Sequence, residues 1–154
     1  IEFFNQQVVY HRFRSLATQG LKTEALKLLG IDEDRIVRLK SHDWVGPSGG
    51  NLYKNVSCWR DLYLVTGKIK ITVWAKGQRA IEQWPLMEIR LNDRLLGKVE
   101  VNSSHSQAYI FETHVIQGFQ RLEVAMTNDL NQGDIDRNLW VGRAELNYKE
   151  LTWD

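Results

Sequence analysis

One cysteine, Cys58, stands in a chain of 154 residues, which excludes an intrachain disulfide framework and any zinc centre built on several thiolates. Net charge is nearly absent as well: 20 Lys and Arg against 19 Asp and Glu leave +1. With no global field of either sign, a nucleic-acid partner or an anionic membrane surface is not expected. No apolar run approaches the ~18 residues of a spanning helix, and the opening Ile1-Glu2-Phe3-Phe4 lacks a basic stretch followed by an apolar one. Neither membrane insertion nor an intact signal peptide is therefore expected. The chain starts without methionine, which reads as a piece of a larger parent protein. Catalytic signatures are missing too. The four histidines (His11, His42, His105, His114) show no HxH or HExxH spacing, and no GxSxG, GxGxxG or GxxxxGK[ST] occurs.

Hydrophobic residues at 43% and charged residues at 25% are those of a folded globular chain. Residues 8–29 place Val9, Phe13 and Leu16, then Leu21, Ala25 and Leu28, at helical spacing, interrupted by Gly20. This predicts a hairpin of two short helices, with residues 1–45 as hairpin and linker. From about residue 56 the period becomes two. Ile69, Ile71, Val73 and Ala75 alternate with polar or amphipathic neighbours, and the pattern returns at Met87–Leu91, Tyr109–Val115 and Leu122–Met126. It appears again, more weakly, at Trp140, Gly142, Ala144 and Leu146. Short strands separated by turn residues at Gly67, Gly77, Asn92-Asp93, Gly97 and Gly118 predict an antiparallel β-sandwich over residues 46–154.

Paired carboxylates for glycoside hydrolysis could be drawn from Glu82, Glu88, Glu100, Glu112 and Glu123, but most alternate with apolar residues on the expected strands and read as a solvated face. The segment 128–139 is more informative. It packs Asp129, Asp134 and Asp136 with Asn128, Asn131, Gln132 and Asn138 between two strands. Carboxylates that close repel, and a hard cation such as Ca²⁺, which takes about six to eight oxygen ligands, would relieve the repulsion. It is not an EF-hand, since Gly133, Asp134 and Trp140 stand where that loop requires a ligand, its glycine and its bidentate Glu. On the residues alone, a calcium loop and a solvated acidic turn both remain open.

Thr127-Asn128-Asp129, a short variable stretch, and Asp136-Arg137-Asn138-Leu139-Trp140-Val141 together resemble the calcium-dependent, xylan-binding carbohydrate-binding modules. The run Gly67 to Gly77 and Trp84-Pro85-Leu86-Met87 are similar to that family's early strands. The resemblance covers roughly residues 60–148. It implies a jelly-roll sandwich whose loop calcium contacts sugar hydroxyls directly, and a non-catalytic module that binds a polysaccharide. Carried onto this chain, Asp129 and Asp136 are the first choices as calcium ligands, with Asp134 and Asn138 next. Trp140, Trp84 and Asn128 are the candidates for carbohydrate contact. The family commonly has an Asp where this chain has Gly142, so a weaker ion site is one expectation. Arg137 is expected to pair with Asp134 or Asp129 and hold the loop, and Trp44, Trp59, Trp74 and Trp153 to serve packing or domain contacts. Calcium sites of this kind fill where calcium is plentiful, which predicts an extracellular or periplasmic setting. The rival readings are a structural or protein-interaction sandwich domain and a glycan hydrolase domain.

Overall fold

The computed structural model describes residues 2–152, so Trp153 lies outside the described residues. Two helices come first, α1 (Glu2–Thr18) and α2 (Lys22–Leu28), and they meet at Gly20, whose φ of +77° gives the left-handed turn that glycine adopts without steric cost. Ten strands follow: β1 (Ile36–Leu39), β2 (Pro47–Leu52), β3 (Ser57–Leu64), β4 (Gly67–Gln78), β5 (Leu86–Leu91), β6 (Arg94–Glu100), β7 (Gln107–Val115), β8 (Gly118–Met126), β9 (Leu130–Gln132) and β10 (Ile135–Leu151). A single 3-10 turn, Ser41–Asp43, lies between β1 and β2.

The strands form two antiparallel sheets. One has the order β1-β10-β4-β7, with β2 and β9 also paired to β10; the other has the order β3-β8-β5-β6. The architecture is the β-sandwich that the spacing of turns predicted. Its core is the set of alternate side chains facing between the sheets. Ile69, Ile71 and Val73 of β4, Met87 and Ile89 of β5, Leu122 and Val124 of β8, and Leu139 and Leu146 of β10 are all fully buried. The helical hairpin joins this core through Phe13, Leu16, Ala25 and Leu26. Tyr10 of α1 lies 4.7 Å from the ring of Tyr63, which meets Phe119 edge-on at 4.9 Å.

Two details differ from the sequence reading. Residues 36–39, which composition placed in a linker, form β1 and pair with β10 from Ile36–Asn147 to Leu39–Ala144. Four residues are too few for a convincing period, and the strand exists because β10 offers it an edge. The second difference lies in the phase of β10. Leu139 and Val141 face inward, and so do Ala144 and Leu146. This is possible because Gly142 and Arg143 together stand opposite Trp74, between the pairs Val141–Ala75 and Ala144–Val73. The extra residue is a β-bulge, and it lets one strand keep its apolar side inward on both halves while Trp140 turns to the outer face.

Candidate functional site

The acidic segment is a β-hairpin. β9 and the start of β10 pair as Gln132–Ile135, Asn131–Asp136 and Leu130–Arg137, around a turn in which Gly133 has φ +62°. Asp134 sits at the exposed tip. Continuing the register one step past Leu130–Arg137 sets Asp129 beside Asn138 at the base of the hairpin.

At this base the oxygens are unpartnered. Asp129 Oδ1, Asp136 Oδ1 and Asn138 Oδ1 are each sealed from solvent without a hydrogen bond, and Thr127 Oγ1 is in the same condition. The orientation of Asn138 is fixed by its other end, because its amide Nδ2 donates both to Gln78 Oε1 at 2.9 Å and to Asp136 Oδ2 at 2.7 Å. Both donor hydrogens are used, which leaves the Asn138 carbonyl oxygen free beside the carboxylate. Orphaned buried acceptors cost about 1–3 kcal/mol each, and more when charged, so a group of them calls for a donor, whether ordered water or a cation. Among the described residues no three His, Cys, Asp or Glu side chains gather. The donors here are two carboxylates and an amide oxygen, a hard-oxygen set suited to Ca²⁺ and not to zinc.

The base is held from several directions. Asn55 Oδ1 accepts from the Asp129 backbone N–H at 2.7 Å. The Asn128 side chain is spent on the neighbouring strand: its Oδ1 accepts from Leu86 N at 2.7 Å and its Nδ2 donates to the Trp84 carbonyl at 3.0 Å. Arg137 does hold the loop in shape, but through other partners than the expected Asp134 or Asp129. Its guanidinium is buried at 5% exposure and donates to the carbonyls of Ala80, Gln83 and Asn128. Ala80 and Gln83 close a two-residue turn in which Ile81 (φ +48°) and Glu82 (φ +60°) both adopt the left-handed region. Such a turn favours Asn-Gly, and Ile is poorly suited to it. Arg137 thus clamps a strained turn against the hairpin base.

Of the residues that sequence suggested, the structure bonds Asn138 to Asp136, places Asp129 just before the same hairpin with its Oδ1 buried, and leaves Asp134 exposed at the tip. Trp140, two residues along β10 from Asn138, shares its outer face, with Tyr53 edge-on at 6.4 Å and the Lys76 ammonium 5.7 Å from its ring. Trp84 is half-buried before β5, with its carbonyl held by Asn128. Among the other tryptophans, Trp44 is buried and donates Nε1 to the Gly142 carbonyl at 2.6 Å. Trp59 lies under Arg121. Trp74 is half-buried on the outer face of β4, with the Arg143 guanidinium 3.8 Å over its ring, and so is not an interior residue. Asn55, Gln78 and Thr127 are contributors that sequence reasoning missed. Asn55, in the bend between β2 and β3, and Gln78, at the end of β4, lie 74 and 60 positions away from their partners, and no local motif marks them.

Fold and site together define a β-sandwich with buried, unpartnered side-chain oxygens near one end of its longest strand. Comparison with solved structures finds the same architecture in carbohydrate-binding modules. The CBM36-1 domain of a multidomain xylanase from the hindgut metagenome of Trinervitermes trinervoides matches with a TM-score of 0.55 at 17% identity, covering 73% of this chain and 96% of that one. A CBM36 module in complex with calcium and xylotriose matches with a TM-score of 0.56 at 16% identity, covering 71% and 98%. The C-terminal CBM6 of LamC from Zobellia galactanivorans matches with a TM-score of 0.53 at 9% identity, covering 73% and 98%. No curated relative matches the chain. The family model of CBM60, the Ca-dependent, xylan-binding carbohydrate-binding modules, matches residues 70–152, more than half of the chain, and the protein belongs to that family. It is a calcium-dependent carbohydrate-binding module.

Proposed function

We propose that Asp129, Asp136 and Asn138 hold the calcium ion and that the module uses it to bind xylan or a related polysaccharide without cleaving it. The observation that carries the reading is the group of buried, unpartnered oxygens at the base of the β9–β10 hairpin. Three side-chain oxygens are fewer than the about six to eight that calcium takes, so coordination positions remain for backbone, water and ligand. Bound calcium supplies a strong directional attraction for adjacent hydroxyl oxygens, which a neutral sugar otherwise lacks any charge to provide. Asn138 and Gln78 orient the acceptors, Asn55 and Arg137 hold the backbone around them, and Trp140 offers an aromatic face to the sugar ring. Asn128 supports the loop through β5, and Asp134 at the tip is free for solvent or a passing saccharide.

A binding role without cleavage is supported by membership of a carbohydrate-binding module family. Of the five glutamates that sequence offered as acid–base pairs, two are engaged with neighbours: Glu88 with Arg90 and Lys98, and Glu123 with Ser57. A site of ordinary extracellular affinity fills at millimolar calcium, which supports a role outside the cytoplasm, as part of a larger polysaccharide-handling protein. Among the described residues no helix is long and apolar enough to cross a membrane.

The test is a calorimetric calcium titration of chelator-stripped protein, repeated with Asp136→Ala, followed by xylo-oligosaccharides at saturating calcium. Calcium uptake lost in the variant and sugar heat seen only with calcium are the expected results. Calcium uptake without sugar binding would leave a structural ion and overturn the recognition reading.

A further inference from the structure

Trp74, Lys76 and Gln78 alternate on the outer face of β4, and Asn138 and Trp140 do so on the β10 segment paired with them, through Gln78–Asn138 and Lys76–Trp140. At about 3.3 Å per residue, the four residues from Gln78 to Trp74 lead roughly 13 Å away from the cation pocket, the length of a short oligosaccharide. The path ends in a hollow of about 340 Å³ between Trp74 and Trp140, floored by Gly142 and edged by Ser104, His105 and Ser106. A side chain at position 142 would point into the Trp74 carbonyl, 3.1 Å from where its Cβ would lie, so the glycine keeps this floor open.

The charge of the hollow is one-sided. No carboxylate lines it. Arg143, set over Trp74 by the bulge, shares its charge with Glu145 at 3.9 Å. Lys76 is exposed and has no ion pair among the described residues; its ammonium lies 5.7 Å from the Trp140 ring. An ammonium beside an aromatic face and without a carboxylate partner gives a neutral sugar a hydrogen bond at most, whereas it gives a sugar carrying a carboxylate an ion pair as well.

Resting on the reading of the hairpin base as a calcium-dependent saccharide site, we infer that the module binds acidic polysaccharide, with a uronate substituent in the Trp74–Trp140 hollow paired to Lys76. The backbone sugar sits at the cation pocket, the uronate ring rests against Trp140, and its carboxylate meets the ammonium. The ion pair is partly exposed, so its contribution is moderate and weakens as salt is raised.

The experiment titrates a neutral xylo-oligosaccharide and its glucuronate-bearing counterpart into the calcium-loaded protein, at low and raised salt, and into Lys76→Met and Lys76→Arg. The expected result is about fivefold or greater preference for the acidic ligand in the unaltered protein, reduced by salt, retained in Lys76→Arg and lost in Lys76→Met with calcium uptake unchanged. Equal affinity for the two ligands, or a preference that survives Lys76→Met, overturns the inference and leaves the neutral-sugar reading standing. Failure of both ligands to bind the calcium-loaded protein overturns both.

Discussion

Replacing Asp136 by Asn separates the cost of the hairpin base from its use. The carboxylate has one oxygen held by the Asn138 amide and one buried without a donor, with the free oxygens of Asp129 and Asn138 in the same segment. Without calcium, an unpartnered buried acceptor costs about 1–3 kcal/mol. Asp136→Asn removes one charge, keeps an oxygen for the Asn138 amide and turns an N–H donor toward the orphaned acceptors. The calcium-free variant should therefore be more stable than the unaltered protein by about 1 kcal/mol, a rise of roughly 2–4 °C in Tm for a chain of this size. With calcium at a hundred times its Kd the order reverses. The unaltered protein gains about 2.7 kcal/mol, which is roughly 5–10 °C, while the variant gains little. Thermal melts followed by circular dichroism in chelator and in excess calcium give all four values. A Tm indifferent to calcium in the unaltered protein, or a variant less stable in chelator, would refute the account of why those oxygens are unpaired.

Arg137→Met should destabilise the fold by about 3 kcal/mol or more, since three carbonyls lose a charged donor; it should also weaken calcium uptake, and a variant with unchanged Tm in urea-assisted melts would contradict the clamp. Tyr148→Phe removes a hydroxyl that accepts from the Val65 N–H at 2.9 Å and donates to its carbonyl at 3.1 Å. It should cost about 1–3 kcal/mol in denaturant titration without changing calcium affinity. Trp140→Ala should lower saccharide affinity by at least tenfold in calorimetry while leaving the calcium isotherm unchanged. Burial, the largest influence, pushes the Cys58 thiol from the ordinary 9.0 up to about 12. The folded state thus disfavours the thiolate, so this contribution to stability is complete below pH 9 and is lost as pH rises toward 12. A thiol reagent should find Cys58 unreactive at pH 8 until the chain is unfolded, and rapid native-state labelling would contradict the burial.

The chain made most of its architecture readable because its strands are half-buried. Ile69, Ile71 and Val73 alternate so regularly that only a sheet face fits them, and Gly20 divides the helices where the apolar period breaks. The phase of β10 was not readable, because an apolar alternation carries no mark of an inserted residue. The alternation of Trp140, Gly142, Ala144 and Leu146 reads as one face, and only pairing with β4 shows the bulge at Gly142 and Arg143 that turns Trp140 to the other. The segment holding Asp129, Asp136 and Asn138 stood out because three carboxylates and several amides in one short stretch need an explanation, and the resemblance to the family put Asp129 and Asp136 first. Asp134 belonged equally to that composition, and the two-residue turn at Gly133 is what carries it away to the tip. Gln78 and Asn55 were invisible, since what matters about them is a neighbour supplied from a distant part of the chain.

The length of β10 bears on how this module would carry load. The proposed calcium site lies at the beginning of the strand, whereas at its far end Leu151 lines a common cleft with Leu26 of α2, and the Tyr148 backbone N–H donates to the Arg35 carbonyl. A pull between a bound polysaccharide and the helical hairpin therefore runs lengthwise along one strand of 17 residues. That strand is flanked by β4 over most of its length and by β1 on the other side. Force in this direction shears whole ladders of backbone hydrogen bonds at once, where a pull across the sheet would unzip them singly. A module built this way would resist being stripped from an insoluble fibre under flow better than its equilibrium stability suggests.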